Sequence, residues 1–291
     1  MEPGSFFYKS QMILSIASGK GGTGKTTVAV NLALSLNEKN PIQFLDCDVE
    51  EPNAHFFLKP RIYETLPVNI SIPEINEDKC TFCGECAEFC AFNALAVLKD
   101  DVLVFNELCH GCGGCSLVCP ENAIKEYGAR IGILELGTSN SLQFIQGKLD
   151  IGKAMSPPII RAEKKLIDKS RTVIIDVPPG TSCPFAEAVK GSDYTVLVTE
   201  PTPFGLNDLR LAVETNRKLK IPFGVILNRA NIGDKNVQEY CRKENISILM
   251  TIPMDRKIAE AYSAGKTIIE VHPSYRQKFI DLYIKIQRLI Q

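Results

Sequence analysis

The stretch Gly19-Lys20-Gly21-Gly22-Thr23-Gly24-Lys25-Thr26-Thr27 leaves the chain few folds to choose from. It follows the apolar run Met12 to Ala17 and precedes a segment in which Val28, Leu32 and Leu36 recur at helical spacing. Glycines let backbone N–H groups turn inward around an anion, and the following helix aims its positive end at the same point. Between a strand and a helix, G-x-x-x-x-G-K-[ST] is a phosphate cradle and not a glycine-rich turn of no consequence. Gly21, Gly22, Thr23, Gly24, Lys25, Thr26 and Thr27 are therefore the expected contacts of ATP or ADP. Lys25 should lie along the β- and γ-phosphates, and the Thr26 hydroxyl should take a place on Mg²⁺.

Two later strands end in carboxylates. Ile42-Gln43-Phe44-Leu45 runs into Asp46-Cys47-Asp48-Val49-Glu50-Glu51-Pro52-Asn53, and carboxyl ends of strands are where open α/β sheets bind ligands. Thr172-Val173-Ile174-Ile175-Asp176 reads as a buried parallel strand, with Asp176 expected to help hold Mg²⁺ through water. In Asp176-Val177-Pro178-Pro179-Gly180 the Gly180 N–H can close on a γ-phosphate and so switch with nucleotide state. Further strands are expected at 131–136, 142–145, 195–199, 223–228 and 248–252, with a helix after Pro157-Pro158. A closing helix from Ser274 to Ile290 carries Phe279, Leu282, Ile286 and Leu289 on one face, which should pack on the sheet and not on a membrane. The fold class is α/β: a mostly parallel sheet with helices on both faces.

From 76 to 127 the composition changes. Cys80-x₂-Cys83-x₂-Cys86-x₃-Cys90 is followed by Cys109-x₂-Cys112-x₂-Cys115-x₃-Cys119-Pro120, an internal repeat of the run that holds [4Fe–4S] clusters. In such pairs the fourth cysteine of each run serves the other cluster. Cluster I would use Cys80, Cys83, Cys86 and Cys119, and cluster II Cys109, Cys112, Cys115 and Cys90. Zinc is the competing ligand of C-x₂-C pairs, but two identical x₂-x₂-x₃ runs, the second closed by proline, favour iron. Leu95 to Leu98 and Val102 to Phe105, flanking Lys99-Asp100-Asp101, read as a hairpin over the clusters. The expected organisation is a discontinuous phosphate-binding domain, 1–75 and 128–291, with a small α+β insert at 76–127.

The bulk numbers exclude other classes. A net charge of −1 and a pI near 6.4 leave no electrostatic footprint for nucleic acid. No apolar run approaches the roughly 18 residues of a membrane span. Residues 1–11 lack a signal-peptide core and read as an N-terminal extension before Met12, so a cytoplasmic location is expected. Eleven cysteines beside a phosphate loop and without an export signal point to metal, not disulfides.

With Lys20 directly after Gly19, the loop K-G-G-T-G-K-T-T resembles the deviant P-loop of the MinD/ParA family, which also holds the nitrogenase iron protein and the Mrp-type iron–sulfur carriers. The resemblance covers nearly the whole chain, and the insert resembles a bacterial two-cluster ferredoxin, except that Ala91 follows Cys90 where many ferredoxins carry proline. It implies a nucleotide-dependent homodimer, or a heterodimer with a related subunit, in which Lys20 reaches the partner's phosphates as an arginine finger would. It implies that Asp48 orients the attacking water and that Asn228, with Pro253 and Asp255, contacts adenine. Cys183, seven residues after Asp176, matches the switch cysteine of the nitrogenase iron protein, but the second cysteine needed there is absent, so an inert buried thiol is expected. The C-terminal C-x₂-C of Mrp-type carriers is missing, and nothing resembles a glutaminase site. The functions implied are ATP-gated electron transfer to a redox partner, a cluster-carrying ATPase with an iron–sulfur partner, or a positioning ATPase with structural clusters.

Overall fold

The computed structural model describes residues 11–290. The expected extension at 1–11 therefore lies, apart from Gln11, outside the described residues. The chain enters through β1 (Ile13–Ala17), turns through the glycine loop into α1 (Lys25–Leu36), and passes β2 (Ile42–Asp46) and the short α2 (His55–Leu58). A long strand β3 (Arg61–Ile75) leads to a cysteine-rich module of α3 (Glu85–Phe89), β4 (Leu95–Val97), β5 (Val102–Val104) and α4 (Gly114–Val118). The return is β6 (Ile124–Ser139) and β7 (Leu142–Leu149), followed by α5 (Pro157–Lys164), β8 (Thr172–Asp176), α6 (Cys183–Val189) and β9 (Tyr194–Thr199). The rest is α7 (Pro203–Leu219), β10 (Phe223–Asn228), α8 (Asn236–Lys243), β11 (Ile248–Ile252), α9 (Arg256–Ser263), α10 (Ile268–Val271) and α11 (Tyr275–Ile290).

Nine strands form one sheet in the order β11-β10-β9-β1-β8-β2-β7-β6-β3. The seven strands from β11 to β7 run parallel, and β6 and β3 close one edge antiparallel. Side chains alternate between the faces with the period of a strand. Leu14, Ile16, Phe44, Ile174 and Val196 meet α1 and α11, whereas Leu45, Val173, Ile175 and Leu197 meet α5, α6 and α7. Fully buried apolar side chains of this size contribute roughly 1.5–3 kcal/mol each, so a sheet covered on both faces is where the stability resides. Phe279, Leu282 and Ile286 of α11 are buried as expected, but Leu289 is 49% exposed, because it turns outward while Ile290 packs against the core. Pro157 and Pro158 start α5 and do not precede it, since a missing N–H costs nothing in the first turn.

The register places the module. β7 runs parallel to β2, so Leu149 lies at the carboxyl edge of the sheet, where the glycine loop also lies. Gly132 of β6 pairs with Leu149, and residues 124–131 continue beyond it, still paired with β3 as far as Ile75 opposite Ile124. At a strand's rise, that ribbon lifts the module roughly 25 Å above the edge. The cysteine-rich module thus lies at the far end of the fifteen-residue strand β3, and the returning strand β6 starts at Ile124.

The module repeats itself every 29 residues, the spacing from Cys80 to Cys109. Left-handed Gly84 and Gly113 precede α3 and α4, and left-handed Asn93 and Asn122 follow them. The Asn76 N–H donates to the Ala123 carbonyl in one half, as the Phe105 N–H does to Ala94 in the other. Two copies of one local fold therefore face each other, with the expected hairpin β4–β5 between them.

Candidate functional site: a phosphate loop and two sets of four thiols

The glycine loop opens onto a cavity of about 380 Å³ lined by Gly21, Gly22, Gly24, Lys25, Thr26, Thr27, Asp48, Asn228, Pro253 and Asp255. The structure thus brings together residues from four strand ends that the sequence assigned to one nucleotide. Helix α1 has no acidic residue in its first turn and no side-chain cap, so its leading N–H groups face the cavity free to hold an anion. Gly24 sits at φ +93, and a Cβ there would stand 2.5 Å from the Asn228 amide nitrogen. Only glycine suits both requirements. The Asn228 amide donates to the Thr23 carbonyl at 2.8 Å, tying the end of β10 to the loop.

Lys25 is the charge centre. Its Nζ lies 2.7 Å from Asp48 Oδ2 and 3.6 Å from Asp176 Oδ1. Burial alone would depress the ammonium, but the carboxylates of Asp176 and then Asp48 outweigh it and raise its pKa. Burial likewise raises Asp176, with Lys25 pulling the other way. The Thr23 hydroxyl is buried with no hydrogen-bond partner, and the buried Asp176 carboxylate has only the Lys25 ammonium at 3.6 Å and the Thr26 hydroxyl beside it. Buried polar atoms of that kind ask for a ligand, and a carboxylate beside the Thr26 hydroxyl fits Mg²⁺ with a triphosphate. Pro179 lines the cavity, and the Gly180 N–H donates to the Ser18 carbonyl at 3.1 Å.

Asp46 accepts the N–H groups of Asn53 and Ala54 at 3.1 and 2.9 Å, which folds the segment 46–54 around one carboxylate. Burial, then the nearby Asp176, push its pKa up to about 8. Folded Asp46 keeps its proton across a window, from the ordinary value of about 4 to about 8, in which the unfolded chain has released it. The folded state binds more protons there, so nucleotide-free stability falls as pH rises through the window and levels above it. Asp46→Asn should flatten that part of the slope in thermal unfolding followed from about pH 5 to about pH 9. An identical slope in the variant contradicts this assignment.

Lys20 does not face the cavity's phosphate end. Its Nζ pairs with Glu200 Oε1 at 2.6 Å, and Arg229 holds the other oxygen of the same carboxylate at 2.8 Å. Sequence reasoning missed Glu200 and Arg229, although Thr195 to Glu200 ends in a carboxylate at the sheet's carboxyl edge, the pattern that picked out Asp46 and Asp176. Asp255 caps α9 through the Lys257 N–H and lies 2.9 Å from His272 Nε2.

The eight module cysteines separate into two hollows. Cys80, Cys83, Cys86 and Cys119 line one, a narrow hollow of about 20 Å³; Cys90, Cys109, Cys112 and Cys115 line the other, of about 170 Å³. The crossed membership follows from the repeat, since each run's last cysteine leaves its helix toward the other run. Backbone N–H groups donate to sulfur at equivalent places, Ala94 to Cys90 and Ala123 to Cys119, both at 3.3 Å. Burial raises the thiol pKa values of Cys86, Cys109 and Cys115, and a bound metal would reverse that by taking thiolate. Among the described residues, no three His, Cys, Asp or Glu side chains converge as one metal ion would need. Neither set closes on a single ion; to take a multi-iron cube the narrow hollow would have to widen around Cys83, which is exposed. Phe92 stacks on His110 at 3.6 Å against the wider one.

Cys47 and Cys241, outside both cysteine runs, are buried. Cys183 is not: it is exposed at the start of α6, because the turn after Asp176 carries it to the surface. Among the described residues no helix is long and apolar enough to cross a membrane.

A parallel sheet with a P-loop after its first strand and carboxylates after two others defines a P-loop ATPase. The family model for the CobQ/CobB/MinD/ParA nucleotide binding domain matches residues 14–268, and the chain belongs to that family. An uncharacterized protein of Methanocaldococcus jannaschii, MJ0579, is 30% identical over 89% of this chain and 92% of that protein. An iron-sulfur cluster carrier protein of Pyrococcus horikoshii is 24% identical over 88% of this chain and 78% of that protein. The septum site-determining protein MinD of Pyrococcus horikoshii, solved with Mg-ADP, superposes with a TM-score of 0.59 at 20% identity, covering 96% of this chain and 97% of that one.

Proposed function

We propose that this chain is a cytoplasmic, Mg²⁺-dependent ATPase that couples nucleotide state to electron transfer through two [4Fe–4S] clusters in its cysteine-rich module. The observation that carries the reading is the crossed sorting of eight cysteines into two four-thiol hollows, on a ribbon rooted beside the nucleotide loop. Bound there, the clusters would supply one-electron chemistry at low potential. The chain's part is to hold them with thiolates from both runs and to aim N–H groups at sulfur, which tunes potential.

The root of the ribbon supports coupling. The Leu149 N–H, at the end of β7, donates to the Val49 carbonyl at 2.8 Å, and the Asp150 N–H donates to Ile131 of β6 at 2.9 Å. Ser156 Oγ donates to Glu50 Oε1 at 2.8 Å. A Cβ at Gly147 would collide with Ile159 and Val49, so α5, β7 and the segment after Asp46 are packed without slack. Movement of residues 46–50 on nucleotide binding is thus passed to the strands bearing the module. For that to matter, nucleotide must bind two arrangements unequally. In the ATP-bound dimer Lys20 serves the partner's phosphates, Asp48 orients water, and Asn228, Pro253 and Asp255 take the base.

Anaerobic purification with iron and sulfide counting tests the assignment: about eight irons per chain are expected. Zinc in their place, or clearly fewer irons, contradicts it. The similarity to proteins named iron-sulfur cluster carriers favours a second reading, in which the clusters are cargo. Transfer of intact clusters to an apo acceptor protein selects that reading; retention through repeated turnover selects electron transfer.

A further inference from the structure

The ion-pair triad of Lys20, Glu200 and Arg229 lies at the edge of the nucleotide cavity, and Glu200 and Arg229 have no part in the chemistry described so far. Glu200 is 8% exposed and stands on a turn with no freedom. Its carbonyl accepts the Thr202 N–H at 2.8 Å and presses on Gly205, where a Cβ would lie 2.3 Å away; the next carbonyl, of Pro201, presses likewise on Gly233. The backbone that carries the carboxylate is therefore held in place. Lys20 occupies one of its oxygens at 2.6 Å and Arg229 the other at 2.8 Å. Arg229 directly follows Asn228, lines the nucleotide cavity, and is held at φ +52.

A lysine that must reach another copy's phosphates cannot stay on Glu200. Removing one partner of a buried pair is costly chiefly because it strands the remaining charge. Here it does not, since Arg229 stays on the carboxylate when Lys20 leaves. We infer that Glu200 is a positioning residue that parks Lys20 within its own chain, and that Arg229 lowers the cost of releasing it to a second copy carrying ATP. This rests on the reading that Lys20 acts in trans. It adds a brake: Lys20 stays off phosphate until a dimer offers a better partner than Glu200.

The test is the dissociation constant of the dimer formed with a non-hydrolysable ATP analogue, measured by sedimentation on the full chain loaded with iron. Glu200→Gln frees Lys20 in both copies and should tighten the dimer about tenfold, about threefold for each lysine, the range of a partly exposed ion pair. Arg229→Asn, which tolerates a left-handed backbone, should weaken the dimer by stranding Glu200 on release. In the Glu200→Gln background the same change should have no effect, because no charge remains to strand. Additive effects, or an unchanged or weaker dimer in Glu200→Gln, overturn the proposal. In the wild-type chain, carbodiimide should join Lys20 to Glu200 within one copy without nucleotide, and the yield should fall several-fold in the analogue-bound dimer. An undiminished yield overturns it as well, whether or not the variants fold. If Lys20→Ala leaves ATP turnover intact, the trans reading fails and the brake with it; if turnover is lost but Glu200→Gln changes nothing, the brake alone fails.

Discussion

Lys20→Ala lowers ATP turnover at least about 10³-fold, the scale of a missing arginine finger, while nucleotide affinity changes by less than about tenfold. The two effects separate because two different lysines are involved. Lys25 lies inside the cradle against Asp48 and Asp176, so phosphate binding needs nothing from Lys20. Lys20 points away, onto Glu200; on the proposed trans role it meets phosphate only in the dimer and counts most once charge develops on a partner's γ-phosphate. Phosphate release gives turnover and fluorescent-nucleotide titration gives affinity. Turnover close to that of the unchanged protein would remove the trans role. Lys25→Ala should behave differently, losing affinity and turnover together.

Cys119→Ser, though it lies in the second cysteine run, should remove the cluster of the first. Iron should fall from about eight to about four per chain, since a cube missing one of its thiolates is poorly held. The EPR signal that survives should be the one lost in Cys109→Ser. Cys90→Ser should pair with Cys109→Ser for the same reason. If Cys119→Ser and Cys109→Ser delete the same signal, the hollows do not define the ligand sets and the crossed assignment is wrong. The N–H groups of Ala94 and Ala123 predict a smaller effect, because each donates to a fourth cysteine. Replacing either alanine by proline should raise no metal loss of comparable size but should lower the potential of the cluster it serves, as one hydrogen bond to sulfur disappears.

What could be read in advance was whatever local chemistry specifies by itself. The ends of α1 at Lys25 and Leu36 follow from a glycine cradle on one side and a fading apolar stripe on the other. β8, β10 and β11 are short apolar runs ending at Asp176, Asn228 and Ile252, and burial on both faces makes such runs visible. The ribbon was not visible. β3 carries Pro67 and Pro73, which only an edge strand tolerates, and the outer part of β6 carries Lys125, Glu126 and Gly128. In β3 only Val68, Ile70 and Ile72 alternate with polar residues, too short a stretch to reveal a ladder of fourteen paired positions. α10 escaped for being only four residues long, although Thr267 and Glu270 form a capping box that marks its start. In the site, spacing revealed the cysteines and the phosphate loop; Glu200 and Arg229 belong to no motif and meet only through the tertiary fold.

The central claim is that nucleotide state governs the clusters. Its most direct test is the midpoint potential of each cluster, followed by EPR in anaerobic titrations without nucleotide, with Mg-ADP and with a Mg-bound non-hydrolysable ATP analogue. Because residues 46–50 are bonded to the root of the ribbon, the account predicts that at least one potential shifts between the ADP and ATP-analogue states. Identical potentials and line shapes in all three states, with partner access to the clusters also unchanged, would contradict it.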